Sequence, residues 1–211
     1  MHNLPKQAFQ KKAAATVAVV LSSLLPVLTF YFSVHTTDEL AASGLPTHVV
    51  SDAVPAFDAD RVSADVLWLA RCAYSETKTP HEQELVAWVI RNRVETGYRG
   101  ERTYAGVVLD PYQFSAFNPG SSQRSLYANL APASASEGWQ RALEVAHDVY
   151  HAPASARPFG ATTRHFYSER SMVGGGAPAW AVGHRPVRPA ASRIDPRRFR
   201  FYAGVAQVVR L

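Results

Sequence analysis

The stretch Ser63-Ala64-Asp65-Val66-Leu67-Trp68-Leu69-Ala70-Arg71-Cys72-Ala73-Tyr74-Ser75-Glu76-Thr77-Lys78-Thr79-Pro80-His81-Glu82-Gln83-Glu84-Leu85-Val86-Ala87-Trp88-Val89-Ile90-Arg91-Asn92-Arg93-Val94-Glu95 reads as two helices with a tight junction. Ser63 is a good N-cap, and Val66, Leu67, Ala70 and Ala73 recur at helical spacing to about Ser75, with Leu69 broadening the stripe. Thr79-Pro80-His81-Glu82 starts the second helix: Thr79 as N-cap, Pro80 in the first turn, Glu82 placed to complete a capping box. Leu85, Val86, Val89, Ile90 and Val94 then face inward, and Gly97 and Gly100 end the run. Glu84 falls on the solvent side.

Downstream, residues 103–109 predict one or two helical turns, and a loop rich in glycine, serine and proline runs to about Gln123. A third long helix is expected from near Ser136, with Trp139, Ala142, Leu143, Ala146 and Val149 on one face and Pro153 as its stop. The last sixty residues differ. His165-Phe166-Tyr167 and Phe199 to Val209 carry the aromatic and β-branched content of short strands. Helices first and a small sheet later give an α+β class, mainly helical in its N-terminal half.

Upstream, residues 13–34 hold no charge and, as a helix, reach about 33 Å, enough for a bilayer core of about 30 Å. Lys6, Lys11 and Lys12 precede this run, while Asp38 and Glu39 follow it. The order predicts a basic cytoplasmic tail (1–12), a transmembrane signal anchor (13–34), a flexible tether (35–60) and an exported domain (61–211). The lipid bilayer is thus an expected partner, with the domain facing the periplasm or wall. Cleavage of the segment as a signal peptide, leaving a secreted domain, is the alternative.

The net charge of +5 is unevenly spread: residues 35–150 carry −6 and residues 151–211 carry +8. No nucleic-acid-binding signature accompanies the basic third, so no nucleic-acid partner is expected. The lone Cys72 excludes an internal disulfide and, sitting in an apolar helix, reads as buried and inert. His147 and His151 stand four apart on a helix but lack the Glu of a metalloprotease motif, so no metal or other cofactor is expected. Oligomeric state leaves no trace in the sequence.

Among the carboxylates, Glu76 stands where one helix ends and the next has not begun, near Tyr74 and Trp68. Burial there without a cation raises a carboxyl pKa into the range a general acid needs. A second carboxylate, as two-acid glycoside hydrolysis requires, is offered by Glu82, Glu84 or Asp110, and none stands out. The loop Asp110-Pro111-Tyr112-Gln113-Phe114-Ser115-Ala116-Phe117-Asn118 mixes aromatic rings with amides and a hydroxyl. That mixture suits sugars, and equally suits core rings flanked by turn residues. Tyr167 and Trp180 carry the same ambiguity.

Taken in order, Leu69-Ala70-Arg71-Cys72-Ala73-Tyr74-Ser75-Glu76, then Val86-Ala87-Trp88-Val89-Ile90-Arg91-Asn92-Arg93-Val94, then Gln113-Phe114-Ser115, and later Gly160-Ala161-Thr162 with His165-Phe166, resemble the SleB/CwlJ-like cell-wall hydrolase family, over roughly residues 63–202. The resemblance implies a lysozyme- or lytic-transglycosylase-like cleft and peptidoglycan as substrate. It implies Glu76 as the catalytic residue, with Gln113 and Ser115 positioning the N-acetyl group or stabilising the cleft wall; Tyr74, Phe114, His165, Tyr167 and Trp180 are the further substrate-side candidates. It further implies cleavage between N-acetylmuramic acid and N-acetylglucosamine by lytic transglycosylation, which needs one acid and no metal. Asn92 is expected to bond to a loop, and Arg93 to pair with an acid.

The chain departs from the family pattern in two places. The region after Glu76 is about two residues short, and an Arg- and Pro-rich insertion separates Trp180, Gly183 and His184 from Phe201-Tyr202. An N-acetylmuramoyl-L-alanine amidase, a hydrolytic muramidase and a non-catalytic peptidoglycan-binding envelope protein are the alternatives.

Overall fold

The computed structural model describes residues 57–190 and 194–206. The expected basic tail, membrane anchor and most of the tether lie outside these residues. Among the described residues no helix is long and apolar enough to cross a membrane.

The first helix, α1, spans Ala64–Glu76, and the Ser63 hydroxyl caps it by accepting from Val66 N at 3.2 Å. α2 spans Pro80–Glu95, α3 Tyr104–Leu109, α4 Arg124–Ala128 and α5 Glu137–His151. α1, α2 and α5 pack on one another around a core that includes Leu69, Val86, Trp88, Trp139 and Leu143, none more than 1% exposed. Fully buried alanines (Ala70, Ala73, Ala142, Ala146) let the α1 and α5 backbones approach closely.

α2 is buried well beyond the expected face. Every residue from Leu85 to Ile90 is inaccessible, because α1, α3, α5 and the sheet surround it. A helix enclosed in this way gains from apolar residues on all sides, and Ala87 and Trp88 fill the side the periodicity left open. At its C-terminal end the buried Asn92 amide donates to Thr163 O at 2.8 Å and Gly160 O at 3.3 Å, fixing helix to sheet.

The sheet is a single antiparallel pair, β1 (Thr163–Tyr167) and β2 (Arg200–Ala203), with His165 opposite Tyr202 and Tyr167 opposite Arg200. A register irregularity between Thr163 and His165 offsets its start, and Val187 bridges to Phe201. At the other end of the described chain, Phe57 already belongs to the packed body. Its N–H donates to Gln140 Oε1 at 2.6 Å, and its ring lies 5.2 Å from His147.

Candidate active site

The cleft is built where four separate segments meet: the last residue of α1, the buried side of α2, the loop after α3, and the sheet with its approaches. It has a volume of about 480 Å³, and Glu76, Arg93, Gln113, Ser115, Tyr167 and Arg198 all line it.

Glu76 closes α1 and is half-buried. Among the described residues it has no hydrogen bond and no ion pair. Burial raises its carboxyl to about 7, with the charge of Arg93 pulling the other way. Its place at a helix C-terminus also disfavours the anion, since the unpaired carbonyls there carry partial negative charge. The carboxyl therefore holds its proton over half the time just below neutrality and opens onto the cleft.

Arg93 departs from the expected ion pair. It makes no salt bridge among the described residues; its Nε donates to Arg164 O at 2.7 Å and its guanidinium lies 5.1 and 4.9 Å from the rings of Tyr98 and Phe114. Its Nη1 is buried without a partner. This cation is held by a carbonyl and aromatic faces, which leaves Glu76 with through-space attraction only.

Glu82 also departs from expectation. Thr79 occupies the N-cap position of α2 and Pro80 follows it, but the Thr79 side chain makes no capping bond and the reciprocal capping box does not form. Thr79 N donates instead to Thr77 Oγ1 at 3.2 Å. The Glu82 carboxylate accepts from Thr77 Oγ1 at 2.5 Å and from Arg198 Nε at 2.6 Å, while Arg198 Nη2 donates to Thr77 Oγ1 at 3.2 Å. Burial pushes Glu82 up, but the bonds from Arg198 and Thr77 outweigh it and hold the carboxyl below its usual range. This cluster ties the residue after Glu76 to α2 and to the segment entering β2.

The other two carboxylates also stand outside the cleft. Glu84 faces 3.6 Å from His81 on the rim of a different groove, whose floor includes Trp88 and Val149. Asp110 is clamped by Arg99 through two bonds of 2.5 and 3.3 Å. That clamp braces the Gln113 loop, and both Arg99 and the nearby Tyr112 take left-handed backbone (φ 57° and 65°), a costly conformation for side chains of this size.

Gln113 and Ser115 face the cleft from that loop, joined by Tyr112 and Asn118, which the loop's sugar-suited composition included but did not single out. The Tyr112 ring is 68% exposed at the lip, and its N–H donates to Asn118 Oδ1 at 2.8 Å. Phe114, between the two polar residues, turns inward and packs against Phe166 at 6.4 Å.

Tyr167 lines the cleft and stacks on Tyr202 at 5.8 Å. His165 shares the strand face of Tyr167 but lies one step further along β1 and does not line the cleft: its Nε2 meets Tyr98 OH at 2.9 Å and its ring lies 5.1 Å from Trp180. Burial, with Arg93 and Arg164 nearby, lowers His165 to about 4, so it is neutral at physiological pH. Trp180 backs Tyr167 and Tyr202 rather than reaching the cleft.

Tyr74 points to the other side of α1, onto Trp139, Tyr127 and the Lys78 ammonium, 3.4 Å from its ring centre. Cys72 is fully buried, and burial pushes its thiol well above the ordinary range, which removes it as a nucleophile. Among the described residues no three His, Cys, Asp or Glu side chains gather as a metal site would require.

Residues 78–188 match the family model described as cell wall hydrolase, just over half of the chain. The chain belongs to the cell wall hydrolase family. No curated protein and no solved structure matches it. As a cell wall hydrolase it is an enzyme acting on peptidoglycan. The matched span contains the Gln113-Phe114-Ser115 loop and β1, and Glu76 stands two residues before it. Arg93 lies inside the span, in a sequence that gave its presence but not its partners; Arg198 lies beyond it, in the insertion, where no pattern pointed to the cleft.

Proposed function

We propose that this cell wall hydrolase cleaves glycan strands between N-acetylmuramic acid and N-acetylglucosamine by lytic transglycosylation, in a lysozyme-like cleft, with Glu76 as the single acid and base. The observation that carries this reading is the solitude of Glu76. It is the only carboxylate among the described residues lining the cleft, and burial holds its carboxyl at about 7.

In the first half of the reaction the Glu76 proton passes to the glycosidic oxygen as its bond to muramic acid C1 breaks. The C6 hydroxyl of the same muramic acid then attacks C1 and gives its proton to the Glu76 carboxylate. A 1,6-anhydro end and a free C4 hydroxyl on N-acetylglucosamine result, no water is consumed, and Glu76 ends protonated as it began. Gln113, Ser115 and Asn118 offer amides and a hydroxyl to an acetamido group on one wall, and Tyr167 offers a ring on the other.

Retaining or inverting hydrolysis by two carboxylates needs a second group within about 5–9.5 Å. Glu82, Glu84 and Asp110 are each engaged elsewhere. Mass spectrometry of fragments released from purified sacculi by the full-length chain tests the reading. Anhydromuramic ends are the expected product. Reducing muramic ends would replace the mechanism with hydrolysis, and free peptides would replace it with an amidase.

A further inference from the structure

The cleft is more cationic than a neutral sugar backbone requires. Arg93, Arg170 and Arg198 line it, against the one carboxyl of Glu76. Arg93 is buried, but Arg170 and Arg198 keep 58% and 38% of their side chains exposed. Arg198 spends its Nε and Nη2 on Glu82 and Thr77, so its place is fixed. Arg170 holds Asp195 at 2.6 Å across an exposed pair (58% and 41%), a contact of small net energy that a ligand carboxylate can replace. Ser168 and Ser171 flank Arg170 and add uncharged donors to the same wall.

We propose, building on the glycan-cleavage reading, that Arg170, with Arg198 behind it, receives a carboxylate of the peptide stem carried by the muramic acid. The stem leaves the lactyl group at the sugar edge, so a strand seated with its glycosidic bond at Glu76 carries its stem along a cleft wall. A guanidinium with donors to spare matches a carboxylate in two parallel bonds, and matches a carboxamide of the same shape less well. Arg170 is therefore a specificity-determining residue, and strands bearing charged stems are the preferred substrate.

The test compares intact sacculi with the same sacculi after carbodiimide coupling to ammonium, which turns stem carboxylates into carboxamides. The full-length chain is expected to release fragments about tenfold faster from the charged form at low salt, as one charge-assisted pair allows. Arg170→Glu should bring that preference to near one, and Arg170→Lys should keep part of it. Equal rates on the two substrates, or a full preference kept by Arg170→Glu, would overturn the proposal while leaving glycan cleavage standing. Release from neither substrate by the folded wild-type chain would overturn both.

Discussion

The end of α1 and the start of α2 place two glutamates six residues apart, and the surroundings drive their carboxyls in opposite directions. Both are withdrawn from water. Glu76 sits at a helix C-terminus with no bonding partner among the described residues and is raised to about 7. Glu82 sits in the first turn of a helix, takes bonds from Thr77 and Arg198, and is held low. Desolvation acts the same way on each, so the partners and the helix ends decide the difference. One carboxyl is left able to give up a proton to a ligand; the other is spent on holding the first one's neighbourhood together.

The comparison breaks most visibly at Glu76. Glu76→Gln keeps the shape and removes the proton donor, so fragment release from sacculi is expected to fall about a thousandfold, with the circular dichroism spectrum unchanged. Retained release would remove Glu76 from the mechanism.

The same substitution should raise stability in alkali. A carboxyl whose folded pKa lies above its unfolded value binds more protons when folded, so the wild type loses stability as pH rises from about 4.5 through about 7. Glu76→Gln escapes that loss. It is expected to exceed the wild type by about 1–3 kcal/mol at pH 8.5 and to differ little at pH 4, as read from urea unfolding at the two pH values.

Next in size is Arg198→Ala, which leaves Glu82 buried beside Thr77 with its cation gone. We expect a loss of about 2 kcal/mol, reduced from that of a fully buried pair because Arg198 is partly exposed. Release rates should drop alongside, since Thr77 follows Glu76 directly. Smallest is Glu84→Gln, on a different groove: stability within about 0.5 kcal/mol and release within about twofold of wild type. A large effect there would make Glu84 the second acid of a two-carboxylate mechanism.

The local signals in the sequence were strong where capping and periodicity coincide. Ser63, Pro80 and the apolar face of α5 place three helices to within a residue or so of where they lie. α4 escaped notice because five residues with no buried side chain leave no periodic stripe. The capping-box reading of Glu82 failed because a neighbour three apart was all the sequence offered, whereas its cationic partner lies 116 residues away. The same distance problem hid Arg170 and Arg198 from the site. Gln113 and Ser115 face the cleft as the family motif implied, while Phe114 between them turns inward; His165 is drawn to Tyr98 and Trp180, and Trp180 backs Tyr167 and Tyr202, long-range contacts that no local pattern announces.

The position of Arg198 bears on how the protein can be cut for laboratory work. A recombinant fragment trimmed to the family match, residues 78–188, would keep the Gln113 loop, Arg93 and Tyr167. It would discard Glu76 at one border and, at the other, Arg198 and the strand that pairs with β1. Such a fragment would still be recognised as a cell wall hydrolase by its sequence, yet under the proposed mechanism it is expected to release nothing from sacculi.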